Sequence, residues 1–502
     1  MGENVIENVM ENGQPVKMPA LIIGGIESGV GKTTFTCGLL KLLLERGLRP
    51  GAFKCGLDYI DPSFHEQVLN TSVRNLDLFL AEPDIVRALY ASHAAGYDIS
   101  IIEGAVSYYG GIGYETKTGT WELAETLQIP VILLVSADSS DASLEAMIKG
   151  LLEKKENSHI AGVVFNNMSA AGYPEAAKAA EKCGVEALGY LPHEDVFHLR
   201  SRQQGIVIAS EAPRIKETID HIAGRMAQTV DLDRILEIAR LAAPQDVEES
   251  KKLLEAQITD GIEDEENGPV IGVAKDISFC LYYEDNLEFL KACGARIAYF
   301  SPMYDSELPA GCSALYLGDG YPELSGETLA HNQKIVQAVR LSIMNGMPCV
   351  AECAGYLYLH ERLEGAERSM YPMTAVISGD AVYDRKHKHF GHVEMTTDKD
   401  CLLTSKGETI RAYSFHYWQS KGEKQDIMVR KVSDGESWQE GICSDTLYAA
   451  FPHLYFRGCP EAGMRFVQAA RDYRDKKEKQ KQEQKRNESN RKQFFDRIFD
   501  IF

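Results

Sequence analysis

Leu21 to Cys37 reads LIIGGIESGVGKTTFTC: an apolar run, a glycine-rich turn, Lys-Thr-Thr, and the start of a helical pattern. Residues of these types in this order bind phosphate. Glycines let backbone N–H groups turn toward an anion, the helix that follows presents the positive end of its dipole, and Lys32 adds a mobile charge. Thr33 is placed to ligate Mg²⁺ through its hydroxyl. The phosphate ligands are therefore expected among Gly25, Ser28, Gly29, Gly31, Lys32, Thr33 and Thr34. Ile26 stands where the standard loop has its first glycine, so the spacing is the longer G-x5-GKT counted from Gly25. Just past a second apolar run, FKCGLDYIDPSFH (Phe53 to His65) brings Asp58 and Asp61 to a place where loops at the carboxyl ends of strands gather around a ligand. Glu103 closes the apolar run SIIEG, and a carboxylate at such a strand end can hold Mg²⁺ or its waters beside phosphates.

A second set of residues has different chemistry. PCVAECAGYLYL (Pro348 to Leu359) reads as a strand, a sharp turn at Cys353 and a helix start. A cysteine on such an elbow projects its sulfur from the sheet edge, and a helix N-terminus favours its thiolate. LYLGDGYPE (Leu315 to Glu323) is a strand followed by a glycine turn whose N–H groups can line an oxyanion hole, with Gly320 and Ala354 as the candidate donors. AAFPHLYF supplies His453 as a general base for Cys353; there are other candidates, such as His416 in RAYSFHYW, and spacing alone does not choose among them.

Elements of a particular kind must position these groups. In the first half, strands are expected at Ala20–Gly24, Gly51–Lys54, Ile99–Glu103, Val131–Val135 and Ile160–Phe165. In the second they are expected at Val270–Ala274, Arg296–Phe300, Ala314–Leu317 and Pro348–Ala351. Longer helical patterns alternate with them, which argues for two α/β domains built on parallel sheets with helices on both faces. Acidic residues crowd Pro244 to Pro269 and mark a linker, with a short helix around Lys252 to Ala256. The expected organisation is an N-terminal extension (1–19), a phosphate-loop domain (20–243), an acidic linker (244–268), a second α/β domain (269–473) and a charged C-terminal extension (474–502). That extension ends in FFDRIFDIF, where Phe494, Phe495, Ile498, Phe499 and Phe502 share one helical stripe, expected to pack on the same protein.

A chain of 502 residues exceeds one hydrophobic core. Its 53 basic against 74 acidic residues give a net charge of −21, which disfavours nucleic acid and acidic membranes as partners. No apolar run reaches the roughly 20 residues of a membrane span. The eleven cysteines contain no CxxC pair, and a reduced, cytoplasmic protein fits them better than a disulfide framework or a zinc site.

Six segments in this order resemble the cobyrinic acid a,c-diamide synthase family: GVGKTT (29–34), LDYIDPSFH (57–65), YYEDNLEFLKACGA (282–295), GYPEL (320–324), AECAGYLYL (351–359) and FHYW (415–418). The long loop spacing is that of dethiobiotin synthetase and its relatives, which phosphorylate carboxylates. The resemblance runs from about Leu21 to Tyr473. It implies a dethiobiotin synthetase-like amidoligase domain followed by a class I glutamine amidotransferase domain. It further implies ATP and Mg²⁺ at Lys32 and Thr33, a metal and acceptor site at Asp58 and Glu103 with Tyr59 and Asp61 beside it, and glutamine hydrolysis by Cys353 and His453. The partners implied are L-glutamine and a tetrapyrrole, whose a and c carboxylates are amidated; hydrogenobyrinic acid and nickel-sirohydrochlorin are alternatives to cobyrinate. A nucleotide-switched binding protein with an inactive second domain is the competing class, and Cys353, His453 and LGDGYPE count against it.

The chain departs from the family's pattern at identifiable places. Asp319 replaces a glycine in the GGGYPE turn, where an aspartate is expected to tolerate positive φ, and Ala354 replaces the glycine after the cysteine. Gly110 and Ser136 replace expected aspartates, RQQGI (202–206) replaces RHLGL, and Glu27 adds a carboxylate inside the phosphate loop that must point away from it.

Overall fold

The computed structural model describes residues 14–56, 72–113, 115–136, 142–194, 212–259, 267–384, 386, 389–422 and 425–499. The chain divides into two compact units, Met1–Gln257 and Ile258–Phe502.

The first unit is a seven-stranded sheet of β1 (Ala20–Gly25), β2 (Pro50–Cys55), β3 (Val73–Leu76), β4 (Ile99–Glu103), β5 (Val131–Ser136), β6 (Ile160–Asn166) and β7 (Glu186–Tyr190). Its order is β3-β2-β4-β1-β5-β6-β7, with parallel pairing throughout. β1 and β4 are fully buried runs, as strands covered on both faces must be. The order reverses beside β1, so the carboxyl ends of β1 and β4 border the crevice where open α/β sheets bind ligands. On one face Leu21, Ile23, Ile101, Ile132 and Leu134 pack against Leu39 and Leu43 of the helix Lys32–Glu45 and against Ile222 and Met226 of the helix Ala212–Thr229. Within the acidic stretch Val247–Ala256 is helical, so the short helix expected around Lys252 to Ala256 is there and starts five residues earlier. The Asp246 carboxylate accepts from the Glu249 N–H at 2.9 Å to cap it, and Val247 and Leu254 are buried.

The second unit is built on β8 (Val270–Ala274), β9 (Arg296–Phe300), β10 (Cys312–Leu317) and β11 (Cys349–Glu352). These pair in parallel in the order β11-β10-β8-β9. The strand Leu447–Ala450 continues the sheet beyond β11, with the short strand Ile442–Cys443 antiparallel at its edge. Alternate residues feed two cores. Ile271, Val273, Tyr316 and Val350 join Val393, Ala412 and Phe466 on one side, while Leu315, Leu317, Cys349 and Ala351 join Ile335, Val339 and Trp418 on the other. Residues 362–454 contribute two further sheets that the sequence reading did not anticipate. In one of them the strand His453–Leu454 pairs antiparallel with Ala412–Tyr413. The helix Pro460–Phe499 starts in the core through Ala462, Phe466 and Ala470 and runs on into exposed, charged turns. The aromatic stripe expected at its end lies outside the described side chains.

Candidate active sites: a phosphate loop and a cysteine elbow

β1 ends at Gly25, where a Cβ would come within 2.5 Å of the Val30 side chain; the loop can fold back only over a glycine. Gly29 and Gly31 have φ of 79° and 96°, left-handed values open to glycine, and they turn the chain into the helix that begins at Lys32. Gly31 also lies against Asn166 at the end of β6, whose side-chain amide donates to the Val30 carbonyl at 2.8 Å and holds the loop down. Ser28 and Gly29 sit at the exposed tip. The Lys32 ammonium is folded into the loop, donating to the carbonyls of Val106 (2.8 Å) and Glu27 (3.1 Å). Glu27 itself is exposed.

Thr33 donates its hydroxyl to the Glu103 carboxylate at 2.8 Å, so the start of the helix Lys32–Glu45 and the end of β4 meet through two of the expected ligands. Lys54 completes this group. Its ammonium donates to the same Glu103 oxygen at 2.9 Å, and both side chains are buried. The sequence reading passed over Lys54; the available signal was a lone lysine inside the apolar run of β2, in register with Glu103 across the strands. Thr33 and Glu103 present adjacent hard oxygen donors, the set that suits Mg²⁺. Asp58, Tyr59 and Asp61 lie outside the described residues, as do residues 202–206. Ser136 ends β5 and accepts from the Asn167 amide at 3.3 Å; Gly110 forms a turn whose carbonyl is approached closely by Gly119.

In the second unit, Cys353 stands between β11 and the helix Ala354–Leu359 with φ 42° and ψ −98°, a strained conformation for a residue with a Cβ. It is held there by its N–H on the Ala450 carbonyl at 2.9 Å and by Gly355, where any side chain would strike the Leu317 carbonyl. This is the geometry of a nucleophile elbow. The Cys353 sulfur, a carboxylate oxygen of Asp319 and a ring nitrogen of His453 lie within 4.8 Å of one another, all buried. His453 is oriented by the Tyr413 carbonyl, 3.0 Å from Nδ1, and its Nε2 is 3.0 Å from Asp319 Oδ2. His416 holds its Nδ1 on the Trp418 carbonyl at 2.8 Å and stacks on Phe451.

The turn after β10 survives the replacement of glycine by Asp319, though by another route than tolerance of positive φ, which Asp319 does not adopt. Its backbone pairs instead with Leu281, N–H to carbonyl in both directions. Gly320 is required by the close pass of the Ser278 carbonyl, 2.2 Å from where a Cβ would be. The N–H groups of Gly320 and Ala354 converge, and both point at Asp319 Oδ1, at 2.7 and 3.2 Å. Burial raises the Cys353 thiol pKa well above its usual value, and the charges of Asp319, Glu323 and Glu440 add to the shift. For His453 burial pulls downward, yet the hydrogen bond and charge of Asp319, with Glu352 behind it, leave the net direction upward.

A phosphate loop on one α/β unit and an elbow cysteine with a histidine on a second define a glutamine-dependent amidoligase, an enzyme that forms C–N bonds. Residues 21–207 match the CobQ/CobB/MinD/ParA nucleotide binding domain, and residues 270–460 the CobB/CobQ-like glutamine amidotransferase domain. The cobyrinate a,c-diamide synthase of Salmonella typhimurium (strain LT2) is 33% identical over 90% of this chain and 98% of its own length. Those of Dehalococcoides mccartyi (32%, over 91% and 99%) and Caldanaerobacter subterraneus (30%, over 89% and 97%) are similar to the same extent. The chain belongs to the cobyrinate a,c-diamide synthase family.

Proposed function

We infer that this chain amidates the a and c side-chain carboxylates of a cobyrinate-type tetrapyrrole, using ATP to activate the carboxylate and glutamine as the nitrogen source. The observation that carries the reading is the Cys353–His453 pair at a strained elbow, in the same chain as a phosphate loop closed by Thr33 and Glu103. A carboxylate is a poor electrophile. Attack of its oxygen on the γ-phosphorus of ATP expels ADP and leaves an acyl phosphate, whose phosphate is a good leaving group. Ammonia then adds to the acyl carbon, phosphate departs, and the amide remains.

Lys32 trades its two loop carbonyls for phosphate oxygens and neutralises charge as it develops on them. Thr33 and Glu103 would hold Mg²⁺, which when bound screens the same charge. Lys54 keeps the Glu103 carboxylate paired and fixed at the strand end. In the other unit Cys353 adds to the glutamine amide carbon, releases ammonia and leaves a γ-glutamyl thioester that water hydrolyses. His453 moves the protons, and the N–H groups of Gly320 and Ala354 receive the oxyanion.

The test separates the two half-reactions. Cys353→Ser is expected to remove glutamine-dependent amidation, because a serine hydroxyl lacks the accessible anion of a thiol. Ammonium salts at mildly alkaline pH should still support product. Product is read by mass on cobyrinate, hydrogenobyrinic acid and nickel-sirohydrochlorin in parallel, which also identifies the acceptor. Full glutamine-dependent activity in Cys353→Ser would sink the assignment of the nucleophile.

A further inference from the structure

Asp319, in the glycine turn after β10, sits in the middle of the cysteine centre. Asp319 Oδ1 takes both N–H groups that a glutamine-derived oxyanion would need, Gly320 at 2.7 Å and Ala354 at 3.2 Å. A carboxylate oxygen held by two backbone donors is a close mimic of the tetrahedral oxyanion itself. The other oxygen, Oδ2, lies 3.0 Å from His453 Nε2.

The protons on His453 follow from its partners. Nδ1 faces the Tyr413 carbonyl, which can only accept, so Nδ1 carries a hydrogen. Nε2 faces a carboxylate oxygen, so it carries one as well. In this arrangement the ring is an imidazolium paired with Asp319, and it has no lone pair with which to take the Cys353 proton. One side chain thus fills the oxyanion hole, occupies the base and sets a negative charge beside the sulfur.

We propose that Asp319 is an internal plug that keeps the glutaminase half latent until its carboxylate swings out of the oxyanion hole. The proposal rests on the reading of Cys353 as the nucleophile. The Asp319 backbone is pinned on both sides of its peptide, its N–H on Leu281 and its carbonyl accepting from Cys280 and Leu281. Opening is therefore a rotation of the side chain rather than a movement of the turn. Glutamine cannot seat its amide oxygen while the plug is in, so ammonium salts should serve the wild-type chain better than glutamine does.

The experiment compares the full chain with Asp319→Gly and Asp319→Asn, each with and without Cys353→Ser. Glutamate release from glutamine is measured in the presence of ATP, and the alkylation rate of Cys353 by iodoacetamide is followed by peptide mass. Asp319→Gly should raise both rates at least tenfold. Asp319→Asn keeps the shape and loses the charge, so it should raise them by less; this isosteric variant also decides the matter if the glycine variant does not fold. The gain in glutamate release should vanish with Cys353→Ser. Glutamate release that is unchanged or lower in both Asp319 variants, with Cys353 alkylated as in wild type, overturns the plug and makes Asp319 an aid to His453. A gain that persists in the Cys353→Ser background instead overturns the reading of the nucleophile beneath it.

Discussion

Lys54, Glu103 and Thr33 form a chain of charge-assisted hydrogen bonds under the phosphate loop, with Glu103 Oε1 accepting from both neighbours. A buried ion pair adds little net stability over apolar residues of the same shape, but removing one partner strands the other's charge. Lys54→Met is therefore expected to destabilise the first unit by about 3–5 kcal/mol, read as a shift in the urea midpoint of the full chain. It should also impair ATP-dependent chemistry, since Glu103 would lose the group that fixes it. Lys32 is a different case, because it donates to the carbonyls of Val106 and Glu27, neutral groups that phosphate oxygens can replace. Lys32→Ala should leave the fold intact and lower ATP-dependent amidation at least a hundredfold, the loss of about 3 kcal/mol of charge stabilisation in the transition state. Glutamate release in the same variant should stay at the wild-type level, because the thiol centre belongs to the other unit. Near-normal amidation at saturating ATP would mean that the nucleotide is held elsewhere.

At the level of elements, the turn between β10 and the short 3₁₀ segment Pro322–Leu324 bears most directly on the glutamine chemistry. Gly320→Ala would place a methyl group against the Ser278 carbonyl, which is backbone and cannot turn away. The turn must then lift, taking one oxyanion donor with it. Glutamine-dependent amidation should fall at least tenfold while the ammonium-dependent reaction persists, and equal loss with both nitrogen sources would count against a local effect. The long apolar parallel strands could be read from the chain because β-branched runs such as those of β1, β5 and β8 leave few alternatives. The strands Val73–Leu76 and Glu186–Tyr190 are short and mix polar with apolar residues, so no period stands out; in the two further sheets of residues 362–454, strands such as Gly391–Thr397 and Thr409–Ser414 do alternate, but their apolar residues are too few to form a run. The elbow at Cys353 was legible from a strand followed by small residues. The occupation of its oxyanion hole was not, because it depends on a side-chain rotamer of Asp319. Lys54 went unread because its partner lies 49 residues away on β4.

Over the whole molecule, the second unit buries carboxyl groups in a chain whose net charge is already −21. Burial pushes Glu352 up from 4.5 to about 7, against the pull of His453 and of the hydrogen bonds from the Leu454 N–H and the Tyr316 hydroxyl. Burial likewise pushes Glu440 up to about 7, where the Trp438 indole and the Phe451 N–H are its donors. The sign follows from proton counts. Between pH 4.5 and 7 the unfolded chain has lost these protons and the folded chain has kept them, so the folded state binds more protons and its stability falls as pH rises. The shifts correspond to about 3 kcal/mol for each group, lost across that window and constant above it. His453, also raised, adds in the same direction: its contribution is full below its unfolded pKa and fades as pH passes the folded one. The amides of β11 should therefore be most protected from hydrogen exchange near pH 5, once the intrinsic rate is corrected for, and lose protection toward pH 7. Glu352→Gln keeps an acceptor for the Leu454 N–H and cannot ionise, so it should flatten a large part of that slope. A wild-type slope of the opposite sign, or a Glu352→Gln profile parallel to wild type, would show that Glu352 is ionised within the fold across the whole range.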